Sequence, residues 1–326
     1  MAEFRRGLSE DCTAALRRLA NTSTDNWWKD VLASKELLLA VRGGYLNAYV
    51  RGQSVFKIGS ESQSGIDSKG QPQVSIHYKY LIEPELEDGS PYIPFDGKIF
   101  SIDPAKVVRT SYTPGVTLQR LVKTAARFSG SEKAGVHRIA ANEPRVVDLE
   151  ISFTRSGDAG EKPTAPRMDL AVLIPGKSKE ARLVFCEAKC ADNVELWKLE
   201  KGHSSEEPRI AVVSQIAKYE KFIRDNEPAI VKAYTRVCKT LIDLSEQRGT
   251  RPDPLIEDVA KGAPLTIHPN VYFLIYDFDA DQKKGAVQKR RDKLSGILSH
   301  RVIAKGNPGS FRLSNDILRR EAAARK

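Results

Sequence analysis

The stretch from Arg167 to Lys189 reads RMDLAVLIPGKSKEARLVFCEAK. Asp169 opens its first apolar run, and Glu187 closes the second with Lys189 two residues later. Runs such as MDLAVLI and RLVFCEA predict central strands covered on both faces. Ionised side chains there are costly unless paired or bound to metal. Alternate strand residues face the same way, so Glu187 and Lys189 project to one side with Ala188 between them. If the two runs form a hairpin, Asp169 comes opposite Glu187. Two hard oxygen ligands and one ammonium then converge on one spot. Such a spot suits Mg2+, which takes one or two carboxylates, several waters and substrate phosphate oxygens. The competing reading is structural, with two strand-end acids neutralised by Lys189 and Arg167.

The surrounding segments extend this pattern. Residues 116–128 and 131–141 read as helices, and VVDLEISF (146–153) supplies a strand before the other two. A helix is expected near 206–225, continued or succeeded by one at 227–247, then a strand at 270–278 and a basic helix over about 282–298. The order helix, three strands, helix, strand describes an α/β fold with a mixed central sheet flanked by helices. Upstream, residues 1–35 read as helical, with SEDCTAALRRLA capped by Ser9. KELLLAVR, YLNAYVRG and QSVFKI then predict a β-meander whose first tight turn is Gly43-Gly44. Polar loops follow at 59–73 and 83–97, with VSIHYKYLI between them as a strand. The chain is thus expected to divide into an N-terminal α+β region (1–110) and a larger domain (111–326).

Composition limits the function classes. At 40% hydrophobic and 29% charged, the 326 residues suit a globular protein with a proper core. The longest apolar runs, such as VYFLIY at 271–276, are too short to span a bilayer. MAEFRRGLSEDC has no signal-like apolar stretch, so a cytoplasmic protein with its four cysteines reduced is expected. Residues 281–326 hold 13 Lys and Arg against 4 Asp and Glu, most of the net charge of +10. A localised basic segment suits a phosphate-binding surface, in which Arg167, Lys289, Arg290, Arg291 and Lys293 are the candidate contacts. A solvated helix and tail is the other reading.

The Asp-x17-Glu-x-Lys arrangement resembles the PD-(D/E)XK nuclease superfamily, and the predicted element order over about 115–305 is similar to its core. Met168 stands where that pattern has proline. Arg167 before it makes an Arg-x-Asp-Leu sequence that resembles the recombination-exonuclease and lambda-exonuclease-like branch. Gln215 and Tyr219, four residues apart and so on one helical face, resemble that branch's further motif. The resemblance implies a restriction-endonuclease-like core and a metal-dependent deoxyribonuclease. Asp169, Glu187 and the Ala188 carbonyl would hold Mg2+, with Mn2+ as a substitute. Lys189 would stabilise developing charge, and Gln215 and Tyr219 would line the site. It also implies a glutamate on the preceding helix, with Glu132 the candidate and Glu143 the alternative. A role in bacterial or phage defence or DNA processing is carried by the family alone. DNA is the expected partner, the N-terminal region is open to a protein partner or homo-oligomer, and no membrane is expected. Endonuclease and exonuclease remain open, as do DNA and RNA. The alternative is a non-catalytic nucleic-acid-binding or interaction module on the same fold.

Other motifs fail on spacing. PGKSK (175–179) lacks the first glycine of a phosphate loop, which would fall on Ala171. DFDAD (277–281) would need Gly and Glu where Gln282 and Gln288 stand to be a calcium loop. Cys186 and Cys190 have no partner at zinc-ligand spacing, and the five histidines are scattered.

Overall fold

A computed structural model describes residues 4–60, 64–81, 92–101, 111–152, 167–177, 179–200 and 209–325. Parts of the expected loops at 59–73 and 83–97, Phe153, Ser178 and the start of the helix expected from 206 lie outside the described residues. Two compact units make up the chain. One comprises Met1–Phe4, Ser131–Cys238 and Asp253–Lys326, and the other Arg5–Gly130 and Lys239–Pro252.

The second unit holds α1 (Glu10–Asn21), α2 (Trp27–Ala33), β1 (Leu38–Val41), β2 (Tyr45–Val50), β3 (Gln53–Gly59), β4 (Val74–His77), β5 (Tyr92–Phe95) and α3 (Thr117–Arg127). Ser9 caps α1 by accepting the Cys12 N–H, as expected. The five strands form an antiparallel meander in sequence order. The last of them, β5, forms within the stretch 83–97 expected to be a loop, because it pairs with β4. Gly44 turns β1 into β2 with φ +86°, a left-handed conformation that costs a glycine nothing. Strand β4 is shorter than the expected 74–82, because the chain tightens into a 3-10 turn at Tyr78–Tyr80. Trp27 and Trp28 are buried, and Trp27 meets the Phe95 ring edge-on at 6.3 Å. Helix α3 packs on β2 and β3, so this unit runs to Gly130 and not to 110.

The first unit holds α4 (Ser131–Ala141), β6 (Val146–Ser152), β7 (Arg167–Pro175), β8 (Ala181–Cys190), β9 (Leu199–Glu200), β10 (Arg209–Ile210), α5 (Ala211–Gln247), α6 (Pro254–Ala260), β11 (Leu265–Ile267), β12 (Tyr272–Tyr276), α7 (Ala280–Lys284), α8 (Ala286–Leu298), β13 (Val302–Ala304) and α9 (Leu313–Ala324). Six strands make a mixed sheet in the order β13-β12-β8-β7-β6, with β11 paired to the start of β8. Antiparallel pairs join β6, β7 and β8, whereas β11 and β12 run parallel to β8. Every β8 residue except Arg182 is buried, as a central strand requires. Helix α4 packs on β6, β7 and β8, and α6 and α9 pack on β7.

Three expectations change in detail. The helices expected near 206–225 and 227–247 are one helix, α5, with Pro228 inside it and its end from Lys239 in the second unit. A proline removes one ladder hydrogen bond. The buried stripe Ile216, Ile223, Ile230 and Val237 carries the helix through. The basic helix is divided at Gly285 into α7 and α8. Short elements that periodicity did not reveal (α6, β9, β10, β11, β13, α9) complete the unit.

Candidate active site

The pairing of β7 with β8 ends at Leu170–Cys186, although β7 continues on β6 to Arg167 and β8 continues on β12 to Cys190. Past that pair the two strands part, and the Asp169 side chain enters the gap. Its Oδ2 accepts the Ala188 N–H at 2.8 Å, taking the place of a ladder carbonyl. A strand residue's N–H and C=O lie on the same edge, so the Ala188 carbonyl faces this gap as well.

Glu187 and Lys189 stand on one face of β8, as their spacing requires. Both are buried, at 1% and 8% exposure, and Lys189 Nζ lies 3.0 Å from Glu187 Oε1. Glu187 Oε2 is buried without a hydrogen-bond partner. Two further acids meet the ammonium: Glu195 Oε2 at 3.1 Å and Glu132 Oε1 at 3.6 Å. Asn193 joins these acids, donating to Glu132 Oε2 at 2.5 Å and accepting the Glu195 N–H at 2.9 Å.

Electrostatics follow from burial and crowding. Burial lifts the Asp169 carboxyl to about 7, against the pull of Lys189 and the Ala188 N–H, and Glu150 and Glu132 add to the lift. Burial and the Asp169 charge drive Glu187 well above the carboxylate range. Burial alone would lower Lys189, but Glu187, Asp169 and Glu132 outweigh it and hold the ammonium charged. The site therefore has two carboxylates that favour a compensating cation and one lysine that stays positive.

Helix α4 brings Glu132 to the site by an unusually close approach. Gly135 lies against the Tyr276 ring of β12, where an added Cβ would collide with the ring carbons. The Tyr276 hydroxyl donates to the Glu132 carbonyl at 2.6 Å. Glu143, the alternative, is elsewhere: its buried carboxylate accepts the Ser314 N–H at 3.2 Å and caps α9. On α5, Gln215 Nε2 donates to the Tyr219 hydroxyl at 2.6 Å, and that hydroxyl donates to the Arg167 carbonyl. The pair thus ties α5 to β7 two residues before Asp169, and burial raises the Tyr219 pKa so that its proton stays.

The basic candidates behave differently from one another. Arg167, Lys289 and Lys293 are exposed. Arg290 is not a free phosphate contact, because its Nη1 donates to the Ala191 carbonyl at 2.7 Å and its guanidinium lies 3.6 Å from the Trp197 ring centre. Arg291 pairs with its neighbour Asp292 at 2.9 Å. Two acids escaped sequence reasoning. Glu150 sits between the pairs Leu149–Leu170 and Ile151–Met168, opposite Asp169, with a left-handed φ of +50°. A charge inside the apolar run VVDLEISF was its signal; Glu195, in a short turn after β8, had none.

Among the described residues, no three His, Cys, Asp or Glu side chains form a ready metal cage. A cation here would take Asp169, Glu187 and the Ala188 carbonyl, and would complete its shell with water and substrate oxygens, as Mg2+ does. Glu187 Oε2, buried and unpartnered, fits that role. No family model, no curated protein and no solved structure matches the chain. Among the described residues, no helix is long and apolar enough to cross a membrane.

Proposed function

We propose that the protein is a metal-dependent phosphodiesterase acting on DNA, built on a restriction-endonuclease-like core. The observation that carries the reading is the unpartnered Glu187 Oε2, at the parting of β7 and β8 beside Asp169 and a charged Lys189. A carboxylate oxygen buried without a donor is costly, and a bound cation removes that cost.

Asp169, Glu187 and the Ala188 carbonyl would hold one or two Mg2+ ions, with Mn2+ as a substitute. Bound there, the metal supplies Lewis acidity and a water acidic enough to be a nucleophile at neutral pH. The chain's own residues do the rest. Lys189 places a fixed positive charge where negative charge grows on the phosphate, which is worth most in a water-poor site. Glu132 and Glu195 keep that ammonium aimed, with Asn193 between them. Gln215 and Tyr219 hold the Arg167 end of β7, and so the backbone that carries Asp169. Lys289 and Lys293 supply backbone affinity through counterion release. A cytoplasmic location and a part in defence or DNA processing go with this reading, and the second unit is assigned substrate choice or a partner contact.

One observation favours the rival, a binding module without catalysis: Lys189 is already matched by carboxylates, which closes the cluster as a structural network. Incubation with linear and closed-circular DNA, in Mg2+ or EDTA, separates the two. Mg2+-dependent loss of circles establishes an endonuclease, and loss of linear DNA alone an exonuclease. Intact DNA of both forms under Mg2+ and Mn2+ ends the nuclease reading.

A further inference from the structure

The turn after β8 and the start of β9 expose three large apolar side chains: Val194 at 52%, Trp197 at 40% and Leu199 at 54%. The other two tryptophans, Trp27 and Trp28, are 3% and 0% exposed, so Trp197 alone among the tryptophans meets solvent. Its ring is not loose. The Arg290 guanidinium lies 3.6 Å from the ring centre, and the Ala191 carbonyl fixes that guanidinium at 2.7 Å. The same turn carries Glu195, which reaches Lys189 at 3.1 Å. Trp197 therefore stands two residues from a group that touches the acid–lysine cluster.

We propose that Trp197, braced by Arg290, is a stacking platform for an unpaired nucleobase at the edge of this cluster. The inference deepens the nuclease reading and rests on it for nucleic acid as the ligand. It names the substrate's state: single-stranded, or opened locally where it enters. With Arg290 bracing one face of the ring, the opposite face would take the base, and stacking there suits any base because every base has a π-face. The charge of the neighbouring helix argues for this occupant. Lys289 and Lys293 are exposed on the helix of Arg290, and Lys198 is exposed on the platform's own turn beside the acids Asp192 and Glu200. The apolar patch is interrupted by Lys198 and Glu200, whereas an apolar protein partner needs a broad continuous surface.

The test uses the full chain in EDTA, so that binding is read without cleavage. A dT12 oligonucleotide is titrated while tryptophan emission and the anisotropy of labelled DNA are followed. Because Trp27 and Trp28 are buried, quenching reports on Trp197. Saturable quenching is expected in wild type and none in Trp197→Ala, whose affinity should fall by about five- to a hundred-fold, the worth of one stacked base. Trp197→Phe, which keeps a ring, should retain most of the affinity. An abasic oligomer of equal charge should bind wild type as weakly as dT12 binds Trp197→Ala. Absent binding to dT12, unchanged affinity in Trp197→Ala, or equal affinity for the abasic oligomer overturns the platform. Cleavage with Mg2+ is scored separately. Stacking on Trp197 without cleavage ends the nuclease reading alone, and cleavage with no Trp197 dependence of binding ends the platform alone.

Discussion

Asp169 Oδ2 accepts the backbone N–H of Ala188 at 2.8 Å, one position past Leu170–Cys186, the last pair of the β7–β8 ladder. A side chain thus satisfies a main-chain donor that the parted strands leave over. Asp169 therefore has a structural duty apart from any charge it carries. Asp169→Asn retains an acceptor and sheds a half-buried carboxylate crowded by other acids, so it should unfold at or above the wild-type urea midpoint in EDTA. Asp169→Leu strands the N–H and should fall about 2 kcal/mol below the Asn variant. Both should lack nuclease activity. Equal stability of the two variants would show that the hydrogen bond contributes nothing.

Glu187 and Lys189 should respond asymmetrically. Lys189 keeps Glu195 and Glu132 when Glu187 is neutralised. Glu187 and Asp169 lose their nearest cation when Lys189 is removed. Lys189→Met should cost roughly 3–5 kcal/mol in EDTA, the range for breaking a buried charge set on one side. Glu187→Gln should stay near wild type while losing the stabilisation by mass action that the proposed Mg2+ site would give. Thermal melts with and without Mg2+ read both effects. A Glu187→Gln variant that Mg2+ stabilises as much as wild type would remove Glu187 from the proposed metal site.

Gly135 offers a test of how α4 is seated. Alanine in a helix interior normally gains about 1 kcal/mol over glycine. Here the methyl would strike the Tyr276 ring, so Gly135→Ala should instead lose roughly 2 kcal/mol through overpacking. It should also push Glu132 away from Lys189 and lower cleavage. A stabilised variant in urea unfolding would refute this packing.

Acid stability should depend on the fastening of α9 to β8. Arg182 donates to both Glu321 oxygens at 2.9 and 2.7 Å, His268 lies 3.3 Å away, and Arg325, capping the end of α9, is at 4.0 Å. Burial alone would raise the Glu321 carboxyl, but Arg182, His268 and Arg325 outweigh it and hold it below its usual value. Burial, ahead of all else, lowers His268. A carboxylate with a depressed folded pKa contributes stability above its unfolded value of 4.5, lost as pH falls through the folded pKa. A histidine lowered from 6.5 by burial likewise costs stability as pH drops below 6.5. Both act in one direction, so the part of urea stability that Glu321 and His268 contribute should decline as pH falls below 6.5 and then below 4.5. Asp169 and Glu187, with raised pKa values, act the other way. The difference between wild type and Glu321→Gln isolates the Glu321 part. Glu321→Gln should cost about 2 kcal/mol at pH 7. Its penalty should shrink as pH falls from 4.5 through the folded pKa; a constant penalty would exclude the ionised pair as its source.

What the chain determines by itself is local. The β-rich runs KELLLAVR, YLNAYVRG and QSVFKI specify the first strands of the meander, and the unbroken apolar runs of β7, β8 and β12 specify buried strands, because burial writes itself into neighbouring residues. Alternation along a strand put Glu187 and Lys189 on one side of β8. Spacing of four likewise put Gln215 and Tyr219 on one helical face. Tertiary structure alone decided the rest. Glu195 and Glu150 reach the cluster from a turn and a neighbouring strand, and their approach depends on register and strand parting. Glu132, and not Glu143, lies beside Lys189 because Gly135 lets α4 settle on Tyr276, a contact between residues 141 positions apart. Arg290 left the phosphate-binding set for the Trp197 ring for the same reason: its partner is distant in sequence and adjacent only in the fold. Patterns report the face a residue occupies; only packing reports what lies opposite.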